Sequence, residues 1–422
     1  MRQEKKVKWA RLDNASKIFP STSNNRDTKV FRLACELYED VDPSILQQAL
    51  NMSLESFPLF RSVLRSGVFW YYFETSDIEP VVEKESTPVC APIYDKDRRN
   101  LLFRLFYFNK RINLEIFHAL TDGSGVIWFM ETLIYYYMTI RYKDVLPGEI
   151  PKINYKASIS QKMDDSFEKN YTQKGKSLMK TKLEHVNAYH IRGTRVDESR
   201  TKLIEGAMSV KAVLNLVHQY DTTLTIFLTS LFFYSINKDM PSKLRRKPVV
   251  LSVPINLRQY FESSTARNFF STMNIIYDFG TKSSELKEII ANVSESFKKG
   301  LTKEKMNVKL DQLMALEKNP FARVIPLPLK DFTLKMGNMV NDNRLTSSIS
   351  NIGRLMMPPE FEPYIHQFSI CVSARRPQIV LCSYGDRLVI SFTSPFQETD
   401  IQRIFFQFLT KAGIEVEVSS NL

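Results

Sequence analysis

The sequence predicts an α/β protein of two domains. The chain has 422 residues, which is more than one ordinary hydrophobic core organises. Hydrophobic residues make up 43% and charged residues 25%, as in globular proteins. Strand and helix patterns alternate in both halves, and a polar stretch with Pro, Gly and charge at 145–205 predicts a crossover between them. We therefore place the two domains at 1–170 and 171–422.

In the first half, alternating β-rich segments predict strands over 29–37, 61–67, 68–74, 100–109 and 111–120. A helix over 42–57 begins with Asp before Pro, a typical start signal. A second helix over 123–144 carries its apolar residues at helical spacing. Its predicted buried face consists of Ile127, Met130, Ile134 and Met138.

The second half repeats this mixture of strands and helices. Helical patterns occur at 209–220, 223–237 and 284–300, in parts of 305–342, and at 399–413. Strand patterns occur at 247–258, 267–279, 346–353 and 366–373. A hairpin over 378–394 turns at Gly385-Asp386.

Composition excludes several classes of function. The net charge is +12 and the pI about 9.3, but the basic residues are scattered and match no nucleic-acid-binding motif. The same positive field would suit a small polyanion such as a coenzyme with phosphates. No signal peptide is evident, and the longest apolar run, 224–236, is too short to cross a bilayer. We expect a cytoplasmic protein without a transmembrane segment.

Four cysteines show no ligand spacing: Cys35, Cys90, Cys371 and Cys382. Free buried thiols are the favoured interpretation, with a Cys371–Cys382 disulfide across adjacent strands as the alternative. His185, His190, His218 and His366 lack a context that suggests chemistry and are interpreted as surface or core residues.

The segment "IFHALTDGSG" carries His118, Asp122 and Gly123 where a predicted strand gives way to a helix. A His-x3-Asp-Gly string is expected by chance about 0.007 times in a chain of this composition. Strand ends next to glycines are common places for catalytic residues. Two alternatives stay open: a hydrogen-bonded structural histidine, or a His118–Asp122 metal pair, for which no third ligand has supporting spacing.

Three further stretches follow His118 in order: "VPINLR" at 253–258, "RNFFSTMN" at 267–274 and "SISNIGR" at 348–354. With the opening "WARLDNASKIFP", the set resembles acyltransferases that carry a His-x3-Asp motif on a chloramphenicol-acetyltransferase-like fold. That superfamily includes peptide-synthetase condensation domains, polyketide-associated acyltransferases, wax ester synthases and bacterial alcohol acetyltransferases. The resemblance extends over nearly the whole chain.

The resemblance implies two similar α/β sandwich domains arranged in a V, with an active-site channel at their interface. His118 would act there as general base, and acyl transfer from acyl-CoA would be direct, without metal or bound cofactor. Asp122 would pair with Arg258 and, with Gly123, support the site; either Asn256 or Arg258 could instead merely end a strand. Candidate oxyanion or substrate contacts are Asn256, Ser348 and Asn351.

The sequence departs from the family pattern in two places. Phe117 stands where many members have a first histidine before the catalytic one. Gly353 stands where the wax-ester form has proline, which weakens a wax-ester assignment. We predict a monomeric acyltransferase that moves an acetyl group from acetyl-CoA to an alcohol or amine. The alternatives are a donor bound to a carrier protein, and a catalytically inactive relative that binds a ligand or partner.

Overall fold

The computed structural model of the protein describes residues 9–148, 150–151, 158–172, 186–197 and 200–421. These residues form three β-sheets with helices packed on them. The strands are β1 Trp9–Arg11, β2 Val30–Leu37, β3 Ser62–Ser66, β4 Tyr71–Thr75, β5 Val82–Lys84, β6 Phe103–Phe108, β7 Arg111–Phe117, β8 Lys202–Ser209, β9 Val249–Asn256, β10 Phe270–Tyr277, β11 Ser347–Arg354, β12 Ile365–Val372, β13 Gln378–Tyr384, β14 Arg387–Ser394 and β15 Glu417–Ser420.

Helices occur throughout the described part of the chain, several of them only one turn long. They are α1 Ile18–Thr22, α2 Pro43–Ser56, α3 Gly123–Arg141, α4 Ile159–Met163, α5 Ser166–Lys169, α6 Val210–His218, α7 Leu224–Asp239, α8 Leu286–Gly300, α9 Lys303–Lys318, α10 Pro320–Val324, α11 Leu327–Asp342 and α12 Asp400–Lys411. The Asp42 side chain caps α2 as its sequence predicts, by accepting from the N–H groups of Ser44 and Ile45.

The first half is organised around a five-stranded sheet in the order β12-β2-β7-β6-β5. Strands β2, β7 and β6 pair antiparallel, and the apolar face of the sheet packs on α2 and α3. Helix α3 buries its predicted face, Ile127, Met130, Ile134 and Met138. A separate sheet of order β1-β4-β3 adjoins this core.

The second half is organised around a seven-stranded sheet in the order β10-β9-β11-β13-β14-β8-β15. Helix α7, predicted to be buried, lies in its core with Phe227, Phe232 and Phe233 fully buried. Strand β11 pairs with β13 along its length but with β9 only at Ser347 and Ser348. The sheet is therefore locally open between β9 and the later part of β11.

One strand from the second half joins the first sheet. β12 pairs antiparallel with β2 from Ile365 opposite Leu37 to Val372 opposite Phe31. It pairs with the edge of β2 that does not pair with β7, so the five-stranded sheet contains strands from both halves. The proposed domain boundary at residue 170 remains a prediction, and β12 is one of several parts of 171–422 that pack into the core of the first half.

The face of the five-stranded sheet turned away from α2 and α3 carries buried charge. Arg32 Nη2 lies 2.7 Å from Glu115 Oε1 and 2.6 Å from Glu85 Oε1, and Arg104 Nη2 lies 3.0 Å from Glu115 Oε2. Arg111 Nη2 reaches Glu205 of β8 at 3.0 Å, next to a cavity of about 150 Å³. Some of the positive charge that the sequence shows is therefore neutralised inside the protein.

Sequence patterns missed short or weakly patterned elements: β1, α1, β5, β8 and β15. Within the predicted crossover at 145–205, the described residues include α4, α5 and the start of β8, joined by segments without regular structure, whereas 149, 152–157, 173–185 and 198–199 lie outside the described residues. The four cysteines are buried with free thiols. Among the other histidines, His190, His218 and His366 are described, and His185 lies outside the described residues.

Candidate active site

His118 directly follows the last residue of β7, at the end of the strand that faces the second half. Its N–H donates to the Lys29 carbonyl oxygen at 2.8 Å, which extends the pairing of β7 with β2 by one residue. The imidazole stacks on Phe19 of α1 with ring centroids 4.4 Å apart, and the rings of Phe31 and Phe270 lie at 4.9 and 5.6 Å. An apolar cage thus fixes the ring while leaving it partly exposed.

Asn268, in the segment before β10, determines which imidazole nitrogen is free. Its Nδ2 donates to Ser16 Oγ at 3.0 Å and to the His118 carbonyl oxygen at 2.9 Å, which orients the carboxamide. Asn268 Oδ1 then faces His118 Nδ1 at 3.2 Å. Because a carbonyl oxygen only accepts, Nδ1 carries the hydrogen and Nε2 keeps a lone pair. Asn268 and Phe19 lie in segments that the resemblance quotes, but nothing in the sequence assigns them to His118.

Burial within the aromatic cage lowers the pKa of His118 below its ordinary value of 6.5. Hydrogen bonding to its own carbonyl oxygen, the Asp122 charge and the Asn268 hydrogen bond act in the opposite direction and do not overcome burial. The imidazole is therefore neutral at physiological pH. A neutral imidazole with a free Nε2 is the form that accepts a proton.

If His118 is the base, kcat/KM should rise with pH along an acidic limb whose midpoint lies below 6.5, then stay flat through neutral pH. Phe19→Ala admits water to the ring and should move this midpoint upward. Asn268→Asp places a negative charge against Nδ1 and should also move it upward. The measurement is a pH–rate profile of the three proteins, and a midpoint that neither variant shifts would assign the limb to another group.

Asp122 serves as the N-cap of α3. Its Oδ1 accepts from the N–H groups of Ser124 and Gly125, each at 3.1 Å. Its Oδ2 accepts from the Phe269 N–H at 2.8 Å and lies 2.7 Å from Arg258 Nη1. Oδ1 therefore caps α3, Oδ2 connects it to the second half, and none of these contacts involves the imidazole.

Arg258, in the turn after β9, is the pairing partner that the resemblance implies for Asp122. Both side chains are buried, with 8% and 6% of their surface exposed. The guanidinium also donates to the carbonyl oxygens of Thr265 at 2.8 Å and Arg267 at 2.7 Å. It is stacked over Trp128 of α3, 5.7 Å from the ring centroid. The Asp122–Arg258 pair therefore connects the two halves four residues after His118 in the chain.

Asn256 supports the same junction. Its Nδ2 donates to Ser124 Oγ at 3.0 Å, and its Oδ1 accepts from the Arg258 N–H at 3.0 Å. These bonds link the end of β9 to the first turn of α3. They give Asn256 a structural part in this junction, and its predicted contact with substrate or oxyanion remains a prediction.

Gly123 and Gly125 both lie in the first turn of α3, and Gly125 has the tighter surroundings. A Cβ at Gly123 would approach Ile352 Cγ2 at 3.2 Å. A Cβ at Gly125 would overlap Thr121 Oγ1 and the Ala266 carbonyl oxygen, atoms that are themselves hydrogen-bonded at 2.5 Å. The sequence prediction named only Gly123. The missing side chain at Gly125 allows α3 to approach the second half closely, and the supporting role of Gly123 remains a prediction.

Gly125→Ala should destabilise the protein by about 1–3 kcal/mol, because the added methyl group forces α3 away from the segment at Ala266. Gly337→Ala is the matched control: it is also helical, with nothing within 4 Å of its Cβ position. The control should gain up to about 1 kcal/mol from helix propensity. Urea unfolding measures both variants, and a Gly125→Ala protein as stable as the control would contradict the close approach.

On β11, Ser348 is the last residue that pairs with β9, and Asn351 lies in the opened part of the second sheet. Ser348 Oγ donates to Gln378 Oε1 at 2.9 Å. Asn351 Nδ2 donates to Thr225 Oγ1 at 3.0 Å, and its Oδ1 accepts from the Gly353 N–H at 2.9 Å. These bonds hold both side chains within the second half, not against His118, so their predicted substrate roles remain predictions. Ile352 lies beside Gly123, so β11 approaches the first turn of α3 at this point.

Within the described residues, no group of three or more histidine, cysteine, aspartate or glutamate side chains could hold a metal ion. The metal-pair alternative for His118 also conflicts with the geometry, because Asp122 is occupied by backbone N–H groups and Arg258. In the described part of the chain, no helix is both long and apolar enough to span a membrane.

No protein-family model matches the sequence, and no curated protein matches it. The fold, in contrast, is similar to solved structures. The trichothecene 15-O-acetyltransferase TRI3 from Fusarium sporotrichioides is 11% identical, with a TM-score of 0.64 over 96% of this chain and 94% of that one. TRI101 from F. sporotrichioides, complexed with coenzyme A and T-2, is 12% identical, with a TM-score of 0.61 over 97% and 99%.

A third match is a variant of the starter condensation domain of rhizomide synthetase in complex with C8-CoA. It is 12% identical, with a TM-score of 0.62 over 96% of this chain and 95% of that chain. The chain shares their fold. The predicted α/β fold class is therefore confirmed, and the similarity covers nearly the full length of each structure.

Proposed function

We propose that the protein is an acyltransferase that moves an acetyl group from acetyl-CoA to an alcohol or amine. The observation that carries the proposal is the state of His118: a caged, neutral imidazole with Nδ1 held by Asn268 and Nε2 free. Three similar folds add support, since their names describe an acetyltransferase and complexes with coenzyme A or C8-CoA.

In this mechanism, His118 Nε2 takes the proton from the acceptor hydroxyl or amine as its oxygen or nitrogen attacks the thioester carbonyl carbon. The tetrahedral intermediate then collapses, the carbon–sulfur bond breaks, and the imidazolium returns the proton to the thiolate. The products are an ester or amide and free coenzyme A. A thioester is already activated, so this transfer uses no covalent acyl-enzyme.

In this proposal, three residues position the site and do not take part in proton transfer: Asp122, Arg258 and Asn256. They tie the first turn of α3 to the end of β9, which fixes the strand end that carries His118 against the second half. The net charge of +12 favours a donor with phosphates. The oxyanion donor stays a prediction, with Asn256, Ser348 and Asn351 as its candidates.

The test is incubation of the purified protein with acetyl-CoA and a panel of alcohols and amines, following release of free thiol. Thiol release that requires both an acceptor and His118 is the expected result, with His118→Asn as the matched control. Initial rates should give intersecting double-reciprocal lines, as for a ternary complex. Parallel lines or a trapped acyl-enzyme would overturn direct transfer. Activity only with a donor bound to a carrier protein would favour the carrier-protein alternative. Ligand binding without turnover would favour a catalytically inactive relative.

A further inference from the structure

Helix α11 is turned with its more apolar side to solvent. Leu329, Phe332, Met336, Met339 and Val340 follow helical spacing and form one stripe, which we call the α11 stripe. Each of these side chains is 47–61% exposed. A surface helix normally buries its apolar side, so exposure of the stripe indicates a missing partner.

The opposite side of α11 attaches the helix to the protein, through Leu327 in the hydrophobic core of the first half and through polar contacts. Asp331 Oδ2 accepts from the Tyr71 hydroxyl at 2.6 Å, and Leu327 donates its N–H to the Val68 carbonyl oxygen at 2.8 Å. Asp342 at the helix end pairs with Arg375 and Arg376 at 3.0 and 2.8 Å. These bonds fix the orientation of the helix, so the outward stripe belongs to the folded state.

The exposed apolar surface continues from α11 onto the turn between β3 and β4. Val68, Phe69 and Trp70 in that turn are exposed, and Lys330 of α11 donates to the Phe69 carbonyl oxygen at 2.8 Å. Trp9 of β1 is also exposed, on the strand that pairs with β4. The α11 stripe and this turn form what we call the α11 surface. Exposed tryptophans beside aliphatic side chains are typical of proteins that enter a lipid–water interface.

Positive charge surrounds the α11 surface. Lys335 and Arg323 are exposed, and Lys330 and Arg11 lie over the Trp70 ring at 5.8 and 5.7 Å. Three nearby carboxylates are engaged by other side chains: Glu317 by Lys17, Asp331 by Tyr71, and Asp342 by Arg375 and Arg376. The surface therefore combines protruding apolar side chains with a cationic rim, which complements an anionic phospholipid headgroup layer.

We propose that the α11 surface docks on a membrane that contains anionic phospholipids. The stripe would enter the boundary between headgroups and acyl chains, and the cationic rim would contact lipid phosphates. Side chains that stand out from a convex helix suit a fluid lipid surface, whereas a protein partner would have to supply a groove for them. The proposal concerns binding alone and does not depend on catalytic activity.

Sedimentation with vesicles tests this proposal on the full-length protein. Vesicles of phosphatidylcholine mixed with phosphatidylglycerol should retain the protein, and retention should weaken as salt rises. Phe332→Ser with Met336→Ser should lower the partition coefficient about tenfold or more, because both side chains lose their apolar transfer. Lys335→Glu should weaken binding to the mixed vesicles and leave binding to phosphatidylcholine alone unchanged. An unchanged melting temperature would establish that the variants are folded.

The control replaces two apolar side chains elsewhere that are at least comparably exposed, Val145→Ser with Val418→Ser, and should bind like the natural protein. A protein that stays in solution with mixed vesicles, or a stripe variant that binds as well as the control, would overturn the proposal. Light scattering that shows a dimer lost in the stripe variant would instead assign the surface to a second copy of the chain. Stripe-dependent binding of an acidic protein, with vesicle binding unaffected, would assign it to a protein partner.

Discussion

Replacement of His118 by alanine should lower turnover by about 10²–10⁴-fold, the usual contribution of a general base. The structure also predicts a loss of stability. The imidazole stacks on Phe19 and bonds to Asn268, so alanine leaves a gap in the cage and an unpaired carboxamide oxygen. We expect a cost of about 1–3 kcal/mol, measured by urea unfolding beside the turnover assay.

His118→Asn separates the loss of the base from the loss of packing. The asparagine Nδ2 can take the place of Nδ1–H and donate to Asn268 Oδ1, but the side chain has no basic nitrogen. The variant should be more stable than His118→Ala and equally inactive. An asparagine variant with more than a few per cent of normal turnover would exclude His118 as the base.

Asp122→Ala and Arg258→Ala should each destabilise the protein by about 3–5 kcal/mol, because each leaves a charge buried without its partner. Asp122→Ala also removes the N-cap of α3 and leaves the Phe269 N–H unpaired. Arg258→Ala releases the carbonyl oxygens of Thr265 and Arg267. Activity should fall in both variants, since the junction that positions His118 is loosened.

The double variant should be less damaged than the sum of the two single variants, because neither charge is then left alone. A coupling of about 0.5–3 kcal/mol is expected from urea unfolding of the four proteins. The exposed pair Lys299–Glu295, on one face of α8, is the control, and Glu295→Ala should leave the unfolding midpoint nearly unchanged. Additive losses at Asp122 and Arg258 would contradict the buried pair. A stable but inactive Asp122→Ala would give Asp122 a direct part in the chemistry.

Local patterns in the sequence were sufficient for most of the elements that frame the site. The strand at 111–120 and the helix at 123–144 were predicted within a few residues of β7 and α3, and the hairpin at 378–394 became β13 and β14. Strand β8 was missed because its residues alternate only weakly between apolar and polar, and its pairing with β14 and β15 defines it. Pairing partners are not a local property.

The sequence by itself determined the strand-to-helix transition at His118, because periodic burial and the Asp122 cap act within a few residues. The tertiary structure decided what surrounds that residue: Asn268 is 150 positions away, and its hydrogen bond selects the imidazole tautomer. It also decided that β12 joins the first sheet and that α11 turns its apolar side outward. These arrangements depend on the free energy of the whole fold, because segments distant in the chain could pair with the same partners. Local sequence patterns therefore do not predict them.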